Sequence, residues 1–103
     1  MKKILIVGAG GQIGSELTRN LRDIYGDSNV VCSDLRPLKG DPYERGPVER
    51  IDSTQIMQIA TAVKQYNIDT IYNLAAIRIS ILHVPSMRLF HKLLLPQKQA
   101  HFH

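Results

Sequence analysis

Three glycines and one carboxylate carry the chemistry that can be read most directly from this chain. Gly8, Gly11 and Gly14 fall at G-x-x-G-x-x-G spacing inside "KKILIVGAGGQIGSEL", residues 2–17, and Asp34 follows 20 residues after Gly14. Where such glycines close a strand and open a helix, the first permits a tight turn. The second lets the backbone approach a pyrophosphate, and the third lets the helix pack tightly on the strand. Free N–H groups and the positive dipole end of that helix then hold the phosphates. An acid at the end of the next strand accepts hydrogen bonds from the adenosine ribose hydroxyls. The same carboxylate repels a 2′-phosphate, which favours NAD over NADP. Arg36, two residues further on, pulls the other way.

These residues need a scaffold, and the hydrophobic pattern supplies one. Lys3 to Val7 is a continuous β-branched and leucine run, as expected of a strand buried on both faces of a parallel sheet. From Ile13 the period changes: Ile13, Leu17, Leu21 and Ile24 mark one face of a helix that Gly26 and Asp27 stop. Residues 29–33, "NVVCS", form a second strand ending at Asp34. Residues 35–47 hold three prolines and two glycines and read as a loop. "VERID", 48–52, is a third strand of edge character. Ile56, Ile59, Ala60 and Val63 mark a second helix, with Asp52 and Gln55 spaced as a capping box. "DTIYNLAA", 69–76, is a fourth strand running into a small-residue loop. This alternation is that of an α/β chain with an open parallel sheet. Right-handed crossovers give the order 3-2-1-4, the N-terminal half of a Rossmann doubly wound sheet.

An alternative for the opening stretch is a secretion signal, but glycines interrupt the apolar run at position 8 and Gln12 and Glu16 follow at once. Asp52 has two readings, a helix cap or a partner for the adenine amino group. Leu74, Ala75 and Ala76 are small enough for a cofactor to lie over them, or they simply pack. The chain has 103 residues, enough for one small domain. Its single cysteine, Cys32, fits a reducing compartment, so a cytoplasmic location is expected. No stretch approaches the roughly 20 apolar residues that cross a bilayer.

The net charge of +4 is unevenly placed. Residues 1–76 hold nine Lys/Arg and all nine acids. Residues 77–103 hold Arg78, Arg88, Lys92, Lys98 and the four histidines, with no acid. A neutral body argues against a nucleic-acid partner, and position 76 is treated as a boundary. The histidines, His83, His91, His101 and His103, lack a cysteine or acid at ligand spacing, so no metal is expected. Met87, Phe90 and Leu94 mark a short amphipathic stripe, for which membrane binding is not the favoured reading.

"GAGGQIG", "SDLR" and "YNLAA" together resemble the extended short-chain dehydrogenases/reductases, the group of NAD-dependent epimerases and dehydratases. Within that group the likeness is to the L-threonine 3-dehydrogenase branch, and it covers residues 2–76. The resemblance implies that Gly8, Gly11, Gln12, Ile13 and Gly14 meet the pyrophosphate. It sets Asp34 and Arg36 on the ribose side, Asp52 at the adenine and Leu74 to Ala76 under the cofactor's middle. The implied activity is oxidation of L-threonine at its hydroxyl-bearing carbon, with hydride passing to NAD.

Beyond Ala76 the likeness stops. The group's Tyr-x-x-x-Lys pair, in which the lysine lowers the tyrosine's pKa for proton removal, is missing. Tyr25, Tyr43, Tyr66 and Tyr72 are followed four positions on by Asn29, Pro47, Thr70 and Ala76. The expectation is therefore a truncated NAD-binding half-domain, residues 1–76, without a catalytic base, and a basic tail, residues 77–103, of frameshift or genuine origin. Alternatives are a fragment of a nucleotide-sugar epimerase/dehydratase, a non-catalytic NAD-binding module, and a structural or interaction fragment that binds nothing. An unpaired fourth strand would then expose an edge for self-association.

Overall fold

A computed structural model of the chain describes residues 2–75 and 80–83. Strand β1 (Ile4–Val7) is buried throughout and leads through the glycine loop into helix α1 (Gln12–Tyr25). A short 3-10 turn, Asp27–Asn29, precedes β2 (Val30–Asp34), which is also wholly buried. The loop that follows carries a second 3-10 turn, Tyr43–Arg45, before β3 (Val48–Arg50). Helix α2 (Ile56–Tyr66), β4 (Thr70–Asn73) and β5 (Ser80–His83) complete the described elements.

The sheet order is β3-β2-β1-β4-β5. The first four strands are parallel, with Ile4 opposite both Val30 and Thr70, and Cys32 opposite Val48. This is the expected 3-2-1-4 arrangement. The fourth strand is not an unpaired edge, however. β5 lies antiparallel on it, Thr70 opposite His83 and Asn73 opposite Ser80. "SILH" alternates weakly and sits in a basic stretch, so it carries little strand signal of its own; pairing with β4 satisfies the backbone groups that β4 would otherwise expose.

Two apolar layers cover the sheet. On the α1 side, Ile4, Ile6, Ala9, Leu21, Val30, Cys32 and Tyr43 pack together. On the α2 side, Leu5, Val7, Val31, Ile51, Ala60, Val63, Ile68 and Ile71 do so. Alternate residues of β1 and β2 serve opposite layers, as the period of two requires.

The α2 stripe packs inward at Ile59, Ala60 and Val63, with Ile56 exposed, while the contact face of α1 departs further from its apolar stripe. In α1 the buried residues are Gly14, Thr18, Leu21 and Arg22, while Ile13 and Ile24 are 62% and 69% exposed. The start of the helix lies so close to the glycine loop that Gly14 and Thr18 occupy its contact face there, with Leu21 and Arg22 buried further along. A Cβ on Gly14 would stand 2.3 Å from the Ala9 carbonyl oxygen. Nor do Asp52 and Gln55 form a capping box: Gln55 is the N-cap of α2 and makes no side-chain cap bond. Asp52 instead accepts the Thr54 N–H and hydroxyl at 2.9 and 2.7 Å, and its own N–H donates to Gln58 Oε1 at 2.8 Å. Gly26 caps the first helix as expected, its N–H donating to the Arg22 carbonyl.

Arg22 is 1% exposed, and its partners are backbone carbonyls rather than a carboxylate. Nε and Nη2 donate to Val30 O at 3.1 and 2.8 Å, Nη1 to Pro42 O and Tyr43 O at 2.7 Å each, and Nη2 to Pro47 O at 2.7 Å. A buried guanidinium survives only when its donors are satisfied. Here it ties α1 to β2 and to both ends of the Tyr43 turn.

Candidate functional site

The carboxyl ends of β1, β2 and β4 border a cleft of about 350 Å³, in the size range of a small-ligand site. Gly8, Gly11, Asp34, Arg36, Asp52, Leu74 and Ala75 all line it. Seven of the residues singled out in the sequence are thus brought together. Gln12 and Ile13 lie elsewhere, on a separate exposed groove with Glu16, Leu17 and Asn20. Gly14 sits beneath the loop against Ala9, and Ala76 lies outside the described residues, as do His91, His101, His103 and the Met87–Phe90–Leu94 stripe.

The glycines have unequal roles. Gly8 adopts φ +83°, and a Cβ there would stand 2.8 Å from the Ala75 amide nitrogen. It provides both the left-handed turn and close approach to the loop after β4. Gly11 is the N-cap of α1 and faces open space. The first helical bond to its carbonyl comes from Ser15 N–H at 2.9 Å. The amides of Gln12, Ile13 and Gly14 therefore head the helix without intrahelical acceptors. No side chain caps Gly11 and no acid stands in the first turn. Such a terminus favours an anion.

Gly10, absent from the sequence-based set, is closely confined as well. A Cβ on it would meet Asp34 Oδ2 at 2.7 Å and Arg36 Nη2 at 2.9 Å. Its N–H donates to Asp34 Oδ2 at 2.8 Å, while Asp34 Oδ1 accepts from Arg36 N–H at 3.0 Å and Arg36 Nε at 3.3 Å. Burial pushes the Asp34 carboxyl up, but the Arg36 and Gly10 hydrogen bonds and the Arg36 charge outweigh it and hold the group below its ordinary value. Asp34 is therefore an anion at neutral pH, set beside the cleft with its side chain 9% exposed. The doubled glycine of "GAGG" was the available sign of Gly10; Leu35, Ile51 and Ser53, which complete the cleft wall, had none.

The residues fit a dinucleotide. A carboxylate fit to accept a diol, a helix start fit to accept a phosphate and a glycine turn with no side chain between them face one cleft. Asp52 stands on its wall, with its carboxyl lowered by the Thr54 hydroxyl and N–H. Leu74 shares its surface with the α1-side core, and its N–H donates to Val7 O at 2.8 Å, so packing and cleft lining coincide there. Among the described residues there is no cluster of three or more His, Cys, Asp or Glu able to hold a metal ion, and no helix long and apolar enough to cross a membrane.

Comparison with known proteins gives a consistent family. Residues 4–83 match the NAD dependent epimerase/dehydratase family. An uncharacterized epimerase/dehydratase of Staphylococcus epidermidis is 42% identical over 78 residues, which are 75% of this chain and 24% of that protein. Among solved structures, an L-threonine dehydrogenase from Clostridium difficile is 48% identical with a TM-score of 0.69, over 76% of this chain and 25% of its own. A GalE-like L-threonine dehydrogenase from Cupriavidus necator, in a holo form, is 42% identical with a TM-score of 0.67, over 74% and 24%. The chain spans about a quarter of the length of these relatives.

Proposed function

The chain belongs to the NAD dependent epimerase/dehydratase family, and from that premise we propose that residues 1–76 bind the adenosine and pyrophosphate portion of NAD(H) as part of an L-threonine 3-dehydrogenase-like oxidoreductase. The observation that carries this reading is the Asp34 carboxylate, anionic and tied to Gly10 N–H in the same cleft as Gly8, Gly11 and Ala75. In the proposed assignment Asp34 receives the ribose hydroxyls. The amides that open α1, from Gly11 to Gly14, receive the pyrophosphate. Asp52 faces the adenine, Arg36 the outer ribose edge, and Leu74 to Ala76 lie under the cofactor's middle.

The bound cofactor supplies the hydride acceptor. This chain's own residues bind and orient it. The threonine assignment rests on the likeness to the C. difficile and C. necator enzymes, at 48% and 42% identity. Self-association through the sheet would use one of its two edge strands, β3 or β5, the latter with Ile81 and Leu82 63% and 48% exposed.

Titration of the full chain with NADH, followed by nicotinamide fluorescence, tests the binding claim. Saturable binding that Gly11→Asp abolishes supports it, because the new carboxylate would stand at the phosphate position. Equal NADH affinity in Gly11→Asp refutes it. A chimera joining residues 1–76 to the remaining length of the C. difficile enzyme tests the substrate: threonine-dependent NADH formation is expected. A folded, NADH-binding chimera that leaves threonine untouched would favour the epimerase/dehydratase reading suggested by the S. epidermidis relative.

A further inference from the structure

Tyr43 lies in the proline-rich loop, away from every motif, yet its hydroxyl donates to the Ala9 carbonyl at 2.7 Å in a buried contact. The next atom group along the chain is the Gly10 N–H, which donates to Asp34 Oδ2 at 2.8 Å. These two bonds belong to a single peptide unit. In a trans peptide the C=O and the following N–H point in opposite directions in one rigid plane. Tyr43 therefore holds the inner end of the Ala9–Gly10 plane while Asp34 is held by its outer end.

The plane has no slack on the inner side. The Ala9 carbonyl oxygen lies where a Cβ on Gly14 would be 2.3 Å away, so it is confined between α1 and the Tyr43 hydroxyl. Tyr43 itself is 8% exposed and packs with Ile4, Ile6, Ala9 and Cys32. Burial raises its phenol above the ordinary value, with Cys32 and Asp34 adding to this and Ser15 and Arg36 opposing, so it remains a neutral donor at physiological pH. Its backbone is fixed in turn by Arg22, whose Nη1 takes the Pro42 and Tyr43 carbonyls at 2.7 Å each.

We propose that Tyr43 is a positioning residue for the cofactor site: by fixing the Ala9–Gly10 peptide plane it aims the Gly10 N–H and, through it, the Asp34 carboxylate. The cofactor consequence rests on the reading of the cleft given above; the tether itself does not. Tyr43→Phe keeps the ring and removes the hydroxyl alone.

In the full chain without cofactor, amide hydrogen exchange of Gly10 is expected to accelerate roughly fivefold in Tyr43→Phe, the scale of one lost hydrogen bond. Amides of β1 and of the middle of α1 are expected to keep their wild-type rates. The NADH dissociation constant is expected to rise by a similar factor of roughly five. A Tyr43→Phe chain whose Gly10 amide exchanges at the wild-type rate overturns the tether. Faster exchange with unchanged NADH affinity overturns the positioning role. A uniform acceleration across the whole chain also overturns it, since that marks a general loss of stability. Wild-type chain that fails to bind NADH removes the cofactor reading, while the exchange comparison still decides the tether.

Discussion

Replacing Gly14 by alanine adds one methyl group where the backbone of another segment comes as close as it does to any glycine described. Built on the present backbone, the new Cβ stands 2.3 Å from Ala9 O, 2.5 Å from Ala9 C and 2.7 Å from Ala9 Cα. All three are main-chain atoms, so no flexible side chain can yield. The Ala9 carbonyl cannot retreat inward either, because it accepts the Tyr43 hydroxyl at 2.7 Å. Helix α1 must therefore lift by about 1 Å to restore ordinary contact. Overpacking of this kind costs typically 1–3 kcal/mol, and a backbone obstacle belongs at the upper end. The better helix propensity of alanine returns about 1 kcal/mol. The expected net loss is about 2 kcal/mol, a fall in melting temperature of roughly 8–16 °C for a chain of this size. Gly11→Ala, whose Cβ meets nothing within 4 Å, is the matched control and should stay within about 0.5 kcal/mol of wild type. Thermal and urea unfolding followed by far-ultraviolet circular dichroism measures both. Equal stability of Gly14→Ala and wild type, or equal damage from the two substitutions, refutes the reasoning.

Further outcomes follow from the same contacts. Asp34→Ala should lower NADH affinity by roughly tenfold or more, the scale of hydrogen bonds to a charged group, while raising NADPH affinity relative to NADH because Arg36 remains; fluorescence titration with both nucleotides decides it. Arg22→Met should destabilise the chain by on the order of 3–5 kcal/mol, since it removes five hydrogen bonds of the buried guanidinium to the carbonyls of Val30, Pro42, Tyr43 and Pro47 and leaves the last two to the Gly46 and Cys32 N–H groups, and a urea midpoint near wild type would contradict it. The Tyr66 hydroxyl donates to the Glu49 carboxylate, and that bond first, then burial, pushes the phenol from 10.0 up to about 12. Its folded pKa lies above its unfolded one, so the contribution is whole below about pH 10 and is lost as pH rises through about 12. Tyr66→Phe should flatten that stretch of an alkaline stability profile, and an identical profile would remove the interaction from consideration.

The parallel core and the glycine turn were readable because local signals and global fold agree there. A buried run, a turn of glycines and a second buried run ending in an acid leave few topologies open. The face of α1 was legible only in part: Leu21 and the half-buried Leu17 pack inward as their spacing suggests, but Ile13 and Ile24 are exposed and Gly14, Thr18 and Arg22 complete the contact face. Thr18, fully buried and bonded through its hydroxyl to the Gly14 carbonyl at 2.7 Å, looks polar in a list of residues. Arg22 looks solvated for the same reason; its satisfaction depends on carbonyls 8 to 25 positions away. Asp52 and Gln55 had capping-box spacing, but Thr54 intercepts the carboxylate locally and the N-cap is Gln55, three residues after the position the box requires. β5 lacked signal because its pairing is supplied by β4 rather than by its own composition.

The Arg22 cage has a consequence for how the protein comes apart. Its carbonyl partners are supplied by β2, by both residues at the start of the Tyr43 turn and by the residue before β3, so no single segment can satisfy it. A partly assembled chain holds either an exposed arginine or a buried cation short of acceptors, and both are high in free energy relative to the completed cage. Gly46 tightens the same knot, since a Cβ there would stand 2.3 Å from the Asp27 carbonyl oxygen and 3.1 Å from Arg22 Cζ. A surface loop rich in proline and glycine would ordinarily fray by itself at little cost. Here residues 42–47 are locked to the all-or-none transition of the β1-α1-β2-β3 unit, so an irregular segment melts with the core rather than ahead of it.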